Sequence, residues 1–584
     1  MILARALGAA LGVAVLACSN PPKSQPPLEP RKREGAVTIS IVGTNDLHGA
    51  IGRLPLLAGY VANLREARKA DGGGVIMVDA GDMFQGTLES NLAEGADVVR
   101  AYNAIGYTAA AVGNHEFDYG PEGPAATPAS ADDDARGALK ARAKEAKFPI
   151  MTANIQDRGS GSRIKWPNMP ASTLVEVANV KIGIIGASTE ATPFTTMPAN
   201  FVGLQMAPPP AQAITEEAKA LRAQGASVIV VTAHIGSKCK DLDHPNDTSS
   251  CDSNEELFQV IRDLPKGMVD VFVAGHTHAA IAHRISDIAV IESYSSGRAF
   301  GRVDLRVAAD GHVSSVKVHK PQMLCPGENP GENPMALDQC NPAPYEGKPV
   351  AVDRTVQTIA DEALAKAQKR RSEPLGVRLA KAVTKSYKLE SAEGNWFTDL
   401  MLAAQPTAQV AVTNGGGLRA DMPAGELTYG SLFEAMPFDN RFALVDLKGA
   451  HLRKLITGNL TRDNAWLSWG GLTAKAKCSA KQLEVTILVG GKPLDENKSY
   501  RLVTSDFLAS GGDGLIGRLK LPEGSVKLTD VIIRDAMVEV LKKQKGAVID
   551  ADKLAKRRVE FPGQRPLECG PGSSKRERTD EEPD

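Results

Sequence analysis

Five polar segments of this 584-residue chain place metal-ligand residue types directly after short apolar runs. Thr44-Asn45-Asp46-Leu47-His48-Gly49 follows residues 37–42, and Asp79-Ala80-Gly81-Asp82 follows 75–78. Gly113-Asn114-His115-Glu116-Phe117-Asp118 follows 109–112, Thr232-Ala233-His234 follows 228–231, and Gly275-His276-Thr277-His278 follows 269–273. One Asp or His after a strand is ordinarily a turn or capping residue. Here five of the chain's ten histidines fall in these segments, beside Asp and Asn and with no cysteine among them. That donor set suits borderline or hard divalent ions such as Zn²⁺, Mn²⁺ or Mg²⁺. Two ions about 3.5–4 Å apart need a bridging carboxylate, a role for Asp82, and clamp the oxygens of a phosphoryl group during in-line displacement. The chemistry indicated is metal-assisted phosphoester hydrolysis. His115 stands apart from the ligands: one ring nitrogen can face the phosphate while Asp118, three residues on, orients the other.

The elements that must position these residues read as layered α/β structure. Between about residues 37 and 340, short Val/Ile-rich runs alternate with Ala/Leu/Glu/Lys-rich stretches of helical period. Strands are predicted at 37–42, 75–78, 109–112, 150–153, 180–185, 228–231 and 269–273. In open α/β sheets sites form outside the carboxyl ends of strands, so the five loops can converge on one place. Residues 121–136, the 239–251 loop and the Pro/Gly/Glu/Asn repeat at 326–334 read as surface insertions. Residues 356–371 read as one exposed, charged helix at the junction with a second unit, whose strands are predicted at 410–413, 443–447, 483–489 and 500–504.

Composition narrows the class. The length calls for two or more domains. With 68 Lys+Arg against 69 Asp+Glu, the net charge of −1 offers no broad basic field for a nucleic-acid polymer. The one long apolar stretch, residues 7–17, is too short to span a bilayer. After Arg5 it has the layout of a secretory signal, and Val15-Leu16-Ala17-Cys18 resembles the lipobox of bacterial lipoproteins, which implies lipid attachment at Cys18. Removing Cys18 from the seven cysteines leaves six. Short loops favour Cys239 with Cys251 and Cys325 with Cys340, leaving Cys478 for Cys569.

The motifs Asp46-x-His48-Gly49, Gly81-Asp82, 113–118, His234 and 275–278 resemble the calcineurin-like metallophosphoesterases. Asn114-His115-Glu116-Phe117-Asp118-Tyr119-Gly120 is similar, more narrowly, to the bacterial 5'-nucleotidase and UDP-sugar hydrolase family. That resemblance implies an N-terminal four-layered α/β β-sandwich metallophosphoesterase domain, a hinge helix and a C-terminal α/β substrate-binding domain. The boundaries it suggests are a lipoprotein signal at 1–18, a tether at 19–36, the metal domain at 37–345, a linker with the hinge helix at 346–375, the substrate domain at 376–561 and a disordered tail at 562–584. It implies two divalent ions (Zn, Mn, Mg or Co), one held by Asp46, His48, Asp82 and His278, the other by Asp82, Asn114, His234 and His276. His115 and Asp118 would form the catalytic dyad. In the second unit Asn414-Gly415-Gly416-Gly417-Leu418-Arg419, Met436-Pro437-Phe438 and residues 506–514 match the family's signatures. They imply substrate contacts from Asn414, Gly416, Arg419 and Asp513, with the base between Phe438 and Phe507. Where relatives carry a phosphate-binding Arg before Glu390-Ser391-Ala392-Glu393-Gly394-Asn395, this chain has Lys385 and Lys388, which implies weaker diphosphate recognition.

The expected activity is an exported hydrolase, periplasmic or on the outer surface and lipid-anchored, that cleaves nucleoside 5'-monophosphates to nucleoside and phosphate by attack of metal-activated water. UDP-sugar or 2',3'-cyclic nucleotide hydrolysis is the alternative within the class. A nucleotide-binding surface protein without turnover is disfavoured because every metal and dyad position holds a competent residue. A thiosulfate-ester hydrolase would leave the base-stacking signatures without a purpose.

Overall fold

The structure is a computed structural model that describes residues 35–569, except 124, 125, 129, 131, 331–334, 480 and 481. The signal segment, Cys18, most of the tether and the chain from 570 onward lie outside the described residues. Two six-stranded sheets form the N-terminal unit. The first runs Val313–Met323, Ala299–Val307, Val37–Thr44, Gly74–Asp79, Ala109–Ala111, Ile150–Met151; the second runs Ala280–Ile285, Ile288–Ser293, Val271–Val273, Val228–His234, Val180–Ser188, Ser172–Val177. β-branched residues at alternate positions fill the space between them: Ile39, Ile41, Ile76 and Val78 meet Ile182, Ile184, Val230 and Val271. Helices Leu54–Ala70 and Ala96–Ile105 cover the outer face of the first sheet, and Pro210–Ala223 and Glu256–Asp263 that of the second. This is the expected four-layered arrangement.

The strands that lead into the five motifs are mutually parallel within each sheet, so their carboxyl ends share an edge. A bond from Thr232 Oγ1 to Asp79 O (2.7 Å) joins the two sheets there. The predicted strands at 37–42, 75–78, 109–112, 180–185 and 228–231 all fall within or overlap observed ones. The antiparallel strands between residues 280 and 323 extend the sandwich beyond those predicted.

The helix Arg354–Arg371 differs from its expected exposed state. Val356, Ile359, Ala360, Ala363 and Ala367 are buried along one face, packed on Leu54–Ala70 and Ala96–Ile105. A stripe made mostly of alanine carries little hydropathy, yet it allows close helix packing. Asp353 caps it, accepting from Thr355 N (2.9 Å) and Val356 N (3.0 Å). The C-terminal unit contains a five-stranded sheet ordered Leu467–Gly470, Val410–Asn414, Ser499–Ser505, Arg441–Lys448, Val526–Ile532, with smaller sheets of three and four strands beside it.

Cysteines pair as expected, Cys239 with Cys251, Cys325 with Cys340 and Cys478 with Cys569. The last bond belongs to a correction. Residues 562–569, expected in the disordered tail, are tied down: Leu567 is buried in the core of the C-terminal unit and donates its N–H to Leu460 O (2.9 Å). Among the described residues no helix is long and apolar enough to cross a membrane.

Candidate active site

All seven expected ligands converge at the shared sheet edge. Asp46, His48 and His278 offer ligand atoms within 4.8 Å of one another, and so do Asp82, His234 and His276. Asp82 Oδ2 lies 3.0 Å from His234 Nε2 and 3.9 Å from His48 Nε2, between the two groups. Asn114 Oδ1 is 3.0 Å from His234 Nε2, which also faces His276 Nδ1 at 3.1 Å. His48 Nδ1 bonds Gln85 O (2.8 Å) and His234 Nδ1 bonds Ala80 O (2.9 Å). Those carbonyls fix the Nδ1–H tautomer and leave each Nε2 with a lone pair aimed inward. His48 Nε2 and His278 Nε2, 2.9 Å apart, and the Asp46 and Asp82 carboxylates beside them make a donor set that fits divalent cations.

Backbone geometry marks the same residues. Asp46 (φ 49°), His48 (49°), Asp82 (57°), His276 (82°) and His278 (57°) all adopt left-handed conformations. Each costs on the order of 1–3 kcal/mol for a side-chain-bearing residue and persists only where surroundings over-determine it. Gly113 permits the approach of two of these loops, since a methyl group there would lie 2.2 Å from Asp82 Oδ1.

The supporting carboxylates and amide were not singled out from the sequence, although Glu116, Asp79 and Asn45 lie inside its motifs. Glu116 accepts from Gly113 N (2.7 Å), Asp82 N (2.9 Å) and Met83 N (2.7 Å), lashing the Asp82 loop to the Asn114 loop. Burial, with the Asp82 charge adding to it, pushes Glu116 up to about 8. Asp79 accepts from Thr44 Oγ1 (2.6 Å), Tyr102 Oη (2.9 Å) and Gly81 N (2.8 Å), and burial pushes it up to about 7. Asn45 donates to Asp46 Oδ2 (2.8 Å), while Glu292 accepts from Thr277 Oγ1 (2.6 Å) between the two histidines of its loop.

His115 Nδ1 is 2.6 Å from Asp118 Oδ2. Thr196 Oγ1 (3.0 Å) and Met197 N (3.3 Å) donate to the other carboxylate oxygen of Asp118. Burial disfavours the His115 cation, but Asp118 and Asp82 overcome it and raise the imidazole above its ordinary value.

The C-terminal unit closes over this edge. Arg419 Nη2 is 3.2 Å from His48 Nε2, and the Phe438 ring centroid is 5.5 Å from that of His115. Gln85 Nε2 (3.2 Å) and Asn91 Nδ2 (3.1 Å) both donate to Pro437 O. Asn414 Nδ2 bonds Asp513 Oδ2 (2.7 Å), Asp513 itself having φ 52°. Gly416 lies beside Asn414, and the half-buried Phe507 packs against Gly512. Lys385 and Lys388 do not join this group: Lys388 Nζ pairs with Asp463, and Lys385 lies by Asp421 and Glu393.

Residues 39–280 match the family model of the calcineurin-like phosphoesterases, and residues 371–518 match that of the 5'-nucleotidase C-terminal domain. The chain belongs to the 5'-nucleotidase family. It is a metal-dependent phosphoester hydrolase. Protein UshA of Yersinia enterocolitica is 26% identical over 530 residues, covering 83% of this chain and 87% of the relative. The human 5'-nucleotidase is 25% identical, covering 82% and 84%. Among solved structures, the 5'-nucleotidase precursor of Thermus thermophilus aligns over 90% of this chain and 99% of its own with a TM-score of 0.69 at 23% identity. The sulfate thiohydrolase SoxB of the same organism aligns with a TM-score of 0.65 at 16% identity, covering 91% and 98%. Both likenesses concern the fold. In this chain the C-terminal unit brings an aromatic ring and a guanidinium to the metal-facing histidines.

Proposed function

We propose that this chain removes phosphate from nucleoside 5'-monophosphates, with Asp46, His48, Asp82 and His278 holding one divalent ion and Asp82, Asn114, His234 and His276 a second. The observation that carries this reading is the meeting of Arg419 and Phe438, from one unit, with His48 and His115, from the other. A phosphoryl group at the ligand cluster is then within reach of a guanidinium, and an aromatic face stands beside it. Bound ions would supply Lewis-acid polarisation of the phosphoryl oxygens and an activated water as nucleophile. The rest is the work of side chains. Asp118, fixed by Thr196 and the Met197 amide, holds the Nδ1 proton of His115 and turns Nε2 toward the substrate. His115 Nε2 donates to the phosphoryl group as charge develops and assists departure of the 5'-oxygen when the P–O bond breaks. Arg419 binds phosphate oxygens. Asp513 and Asn414, already paired, accept the ribose and base, and Phe438 and Phe507 receive the base faces.

The thiohydrolase reading, open on fold alone, leaves Phe438, Phe507 and Asp513 without a ligand. Export and lipid attachment at Cys18 complete the proposal on the strength of residues 5–18. Phosphate release from AMP, UDP-glucose, a 2',3'-cyclic nucleotide and an aryl phosphate, with and without chelator and added Mn²⁺ or Zn²⁺, tests it. AMP should be the favoured substrate and chelator should abolish turnover. Absence of chelator-sensitive activity on every nucleotide would overturn the reading.

A further inference from the structure

The segment that follows the strand Val180–Ser188 reaches the metal site and the dyad at neighbouring residues. Thr195 O accepts from Asn114 Nδ2 (3.0 Å), which leaves Asn114 Oδ1 to face His234 Nε2 at 3.0 Å. One residue on, Thr196 Oγ1 donates to Asp118 Oδ1 (3.0 Å), with Met197 N at 3.3 Å from the same oxygen. Asn200 Nδ2 then donates to Phe117 O (2.8 Å). The start of the segment is braced by Glu256, which accepts from Thr189 Oγ1 (2.5 Å) and Glu190 N (3.0 Å), and Thr192 Oγ1 donates back to Thr189 O (2.7 Å). The short helix Thr192–Thr195 packs against Gly512–Gly514 of the C-terminal unit. Two consecutive residues of one braced segment thus hold a proposed metal ligand and one half of the dyad.

The two attachments differ in kind. Asn114 is held by a main-chain carbonyl, which a side-chain substitution leaves in place. Asp118 is held by the hydroxyl of a residue that is 1% exposed, where bulk water does not take its place. Asp118 Oδ2 lies 2.6 Å from His115 Nδ1. The torsion that turns a carboxylate is broad and roughly two-fold, so this contact lasts only if the other oxygen is fixed as well. Without Thr196 Oγ1, Oδ1 keeps only the longer amide contact. The carboxylate then turns to recover partners, and His115 loses the group that sets its tautomer and direction. The chemical consequence depends on the leaving group. When the P–O bond breaks, its electron pair passes to the leaving oxygen. A ribose 5'-oxygen needs a proton from His115 Nε2, whereas a nitrophenolate departs without one.

We propose that Thr196 is a positioning residue for proton donation: acting through Asp118, it keeps His115 aimed at the leaving oxygen, while Thr195 beside it orients the ligand Asn114 independently. The proposal rests on the dyad reading given above and extends it to a residue outside both the dyad and the ligand set.

The test compares wild type, Thr196→Val, Thr196→Ser and His115→Ala on AMP and para-nitrophenyl phosphate. Elemental analysis gives metal content, and the downfield proton spectrum reports the short bond from His115 Nδ1 to Asp118. Thr196→Val keeps the shape and removes the donor. It should lower kcat for AMP by roughly 10- to 100-fold, the usual cost of losing an outer-shell partner. KM and metal content should stay at wild type, and kcat for para-nitrophenyl phosphate should scarcely change. The Nδ1 proton signal should broaden and shift in Thr196→Val, and Thr196→Ser should restore both the signal and the AMP rate. An unchanged AMP rate in a folded Thr196→Val protein, or a loss of metal from it, would overturn the assignment. His115→Ala separates the two readings. If it discriminates between the substrates and Thr196→Val does not, the role of Thr196 alone fails. If it does not discriminate while the Nδ1 signal still follows residue 196, the proton-donor reading alone fails, and Thr196 remains the residue that positions His115.

Discussion

At the metal-facing end of the site, five of seven proposed ligands occupy left-handed backbone, and backbone carbonyls behind His48 and His234 and the Asn45 amide beside Asp46 orient them. At the base-facing end, Phe438 and Phe507 are half-buried, beside a glycine run and a single Asn414–Asp513 bond. The first end stores strain in one rigid body, as carboxylates and imidazole lone pairs that face one another must be pre-organised before a cation arrives. Polar contacts between the two include Pro437 O, accepting from Gln85 and Asn91, Arg419 beside His48, and Arg371, which bridges Glu89 of one unit (2.5 Å) and Glu434 of the other. A junction of such contacts, with Leu88 packed into the core of the C-terminal unit, would open to admit substrate between the units while the ion-binding end keeps its geometry.

Perturbing the rigid end should be the more severe. Asp82→Asn removes charge from the carboxylate that faces both ligand groups. Activity on AMP and on an aryl phosphate should fall together, by more than the ~10–100-fold typical of losing an outer-shell partner, and elemental analysis should find fewer than two ions per chain. Wild-type activity and metal content would break the contrast, because Asp82 would then not be shared. Next in size, His115→Ala should lower kcat by roughly 10²–10⁴-fold, the range of a general acid or base, while metal content stays intact. A parallel loss of metal would move His115 from the dyad to the scaffold.

Perturbing the adaptable end should discriminate between substrates. Phe438→Ala and Phe507→Ala should each raise KM for AMP by about 5- to 100-fold, as base stacking is worth ~1–3 kcal/mol, and scarcely alter an aryl phosphate. Equal effects on both substrates would mean that the rings are core, and that the base-facing end is as rigid as the other.

The same contrast governs what could be read from the residues alone. Metal chemistry restricts ligand types, so Asp46, His48, Asp82, Asn114, His234, His276 and His278 were legible from identity and from their place after apolar runs. Rings and glycines have ordinary structural uses, and Phe438, Phe507 and Gly416 emerged only through family resemblance. Glu116 and Asp79 lay in plain view within the motifs, but their roles depend on three backbone and side-chain donors brought together by tertiary structure. The direction of side chains in an irregular loop has no period to betray it, so Lys385 and Lys388 were marked although neither joins the site. The helix Arg354–Arg371 was legible as a helix, but the alanines of its buried face did not announce that face.

The smallest expected effect concerns stability beneath the substrate loops. Glu393 is fully buried, and neither carboxylate oxygen has a hydrogen-bond partner. Burial raises its pKa well above the ordinary range; Asp421 adds to the rise and Lys385 opposes it. The folded protein therefore keeps the proton after the unfolded chain, titrating near ~4.3, has released it. Stability contributed by this group is fully present below the unfolded value and is lost progressively as pH rises toward the folded one. Glu393→Gln keeps the shape and is neutral throughout, so its Tm relative to wild type should climb between acid and mildly alkaline pH. AMP turnover should be unchanged, since Glu393 touches none of the proposed ligands or substrate residues. A Tm difference that stays flat with pH would mean that the carboxylate is ionised in the fold and held by Lys385. The base-facing end would then contain a buried ion pair and be less unlike the metal-facing end than its half-exposed rings suggest.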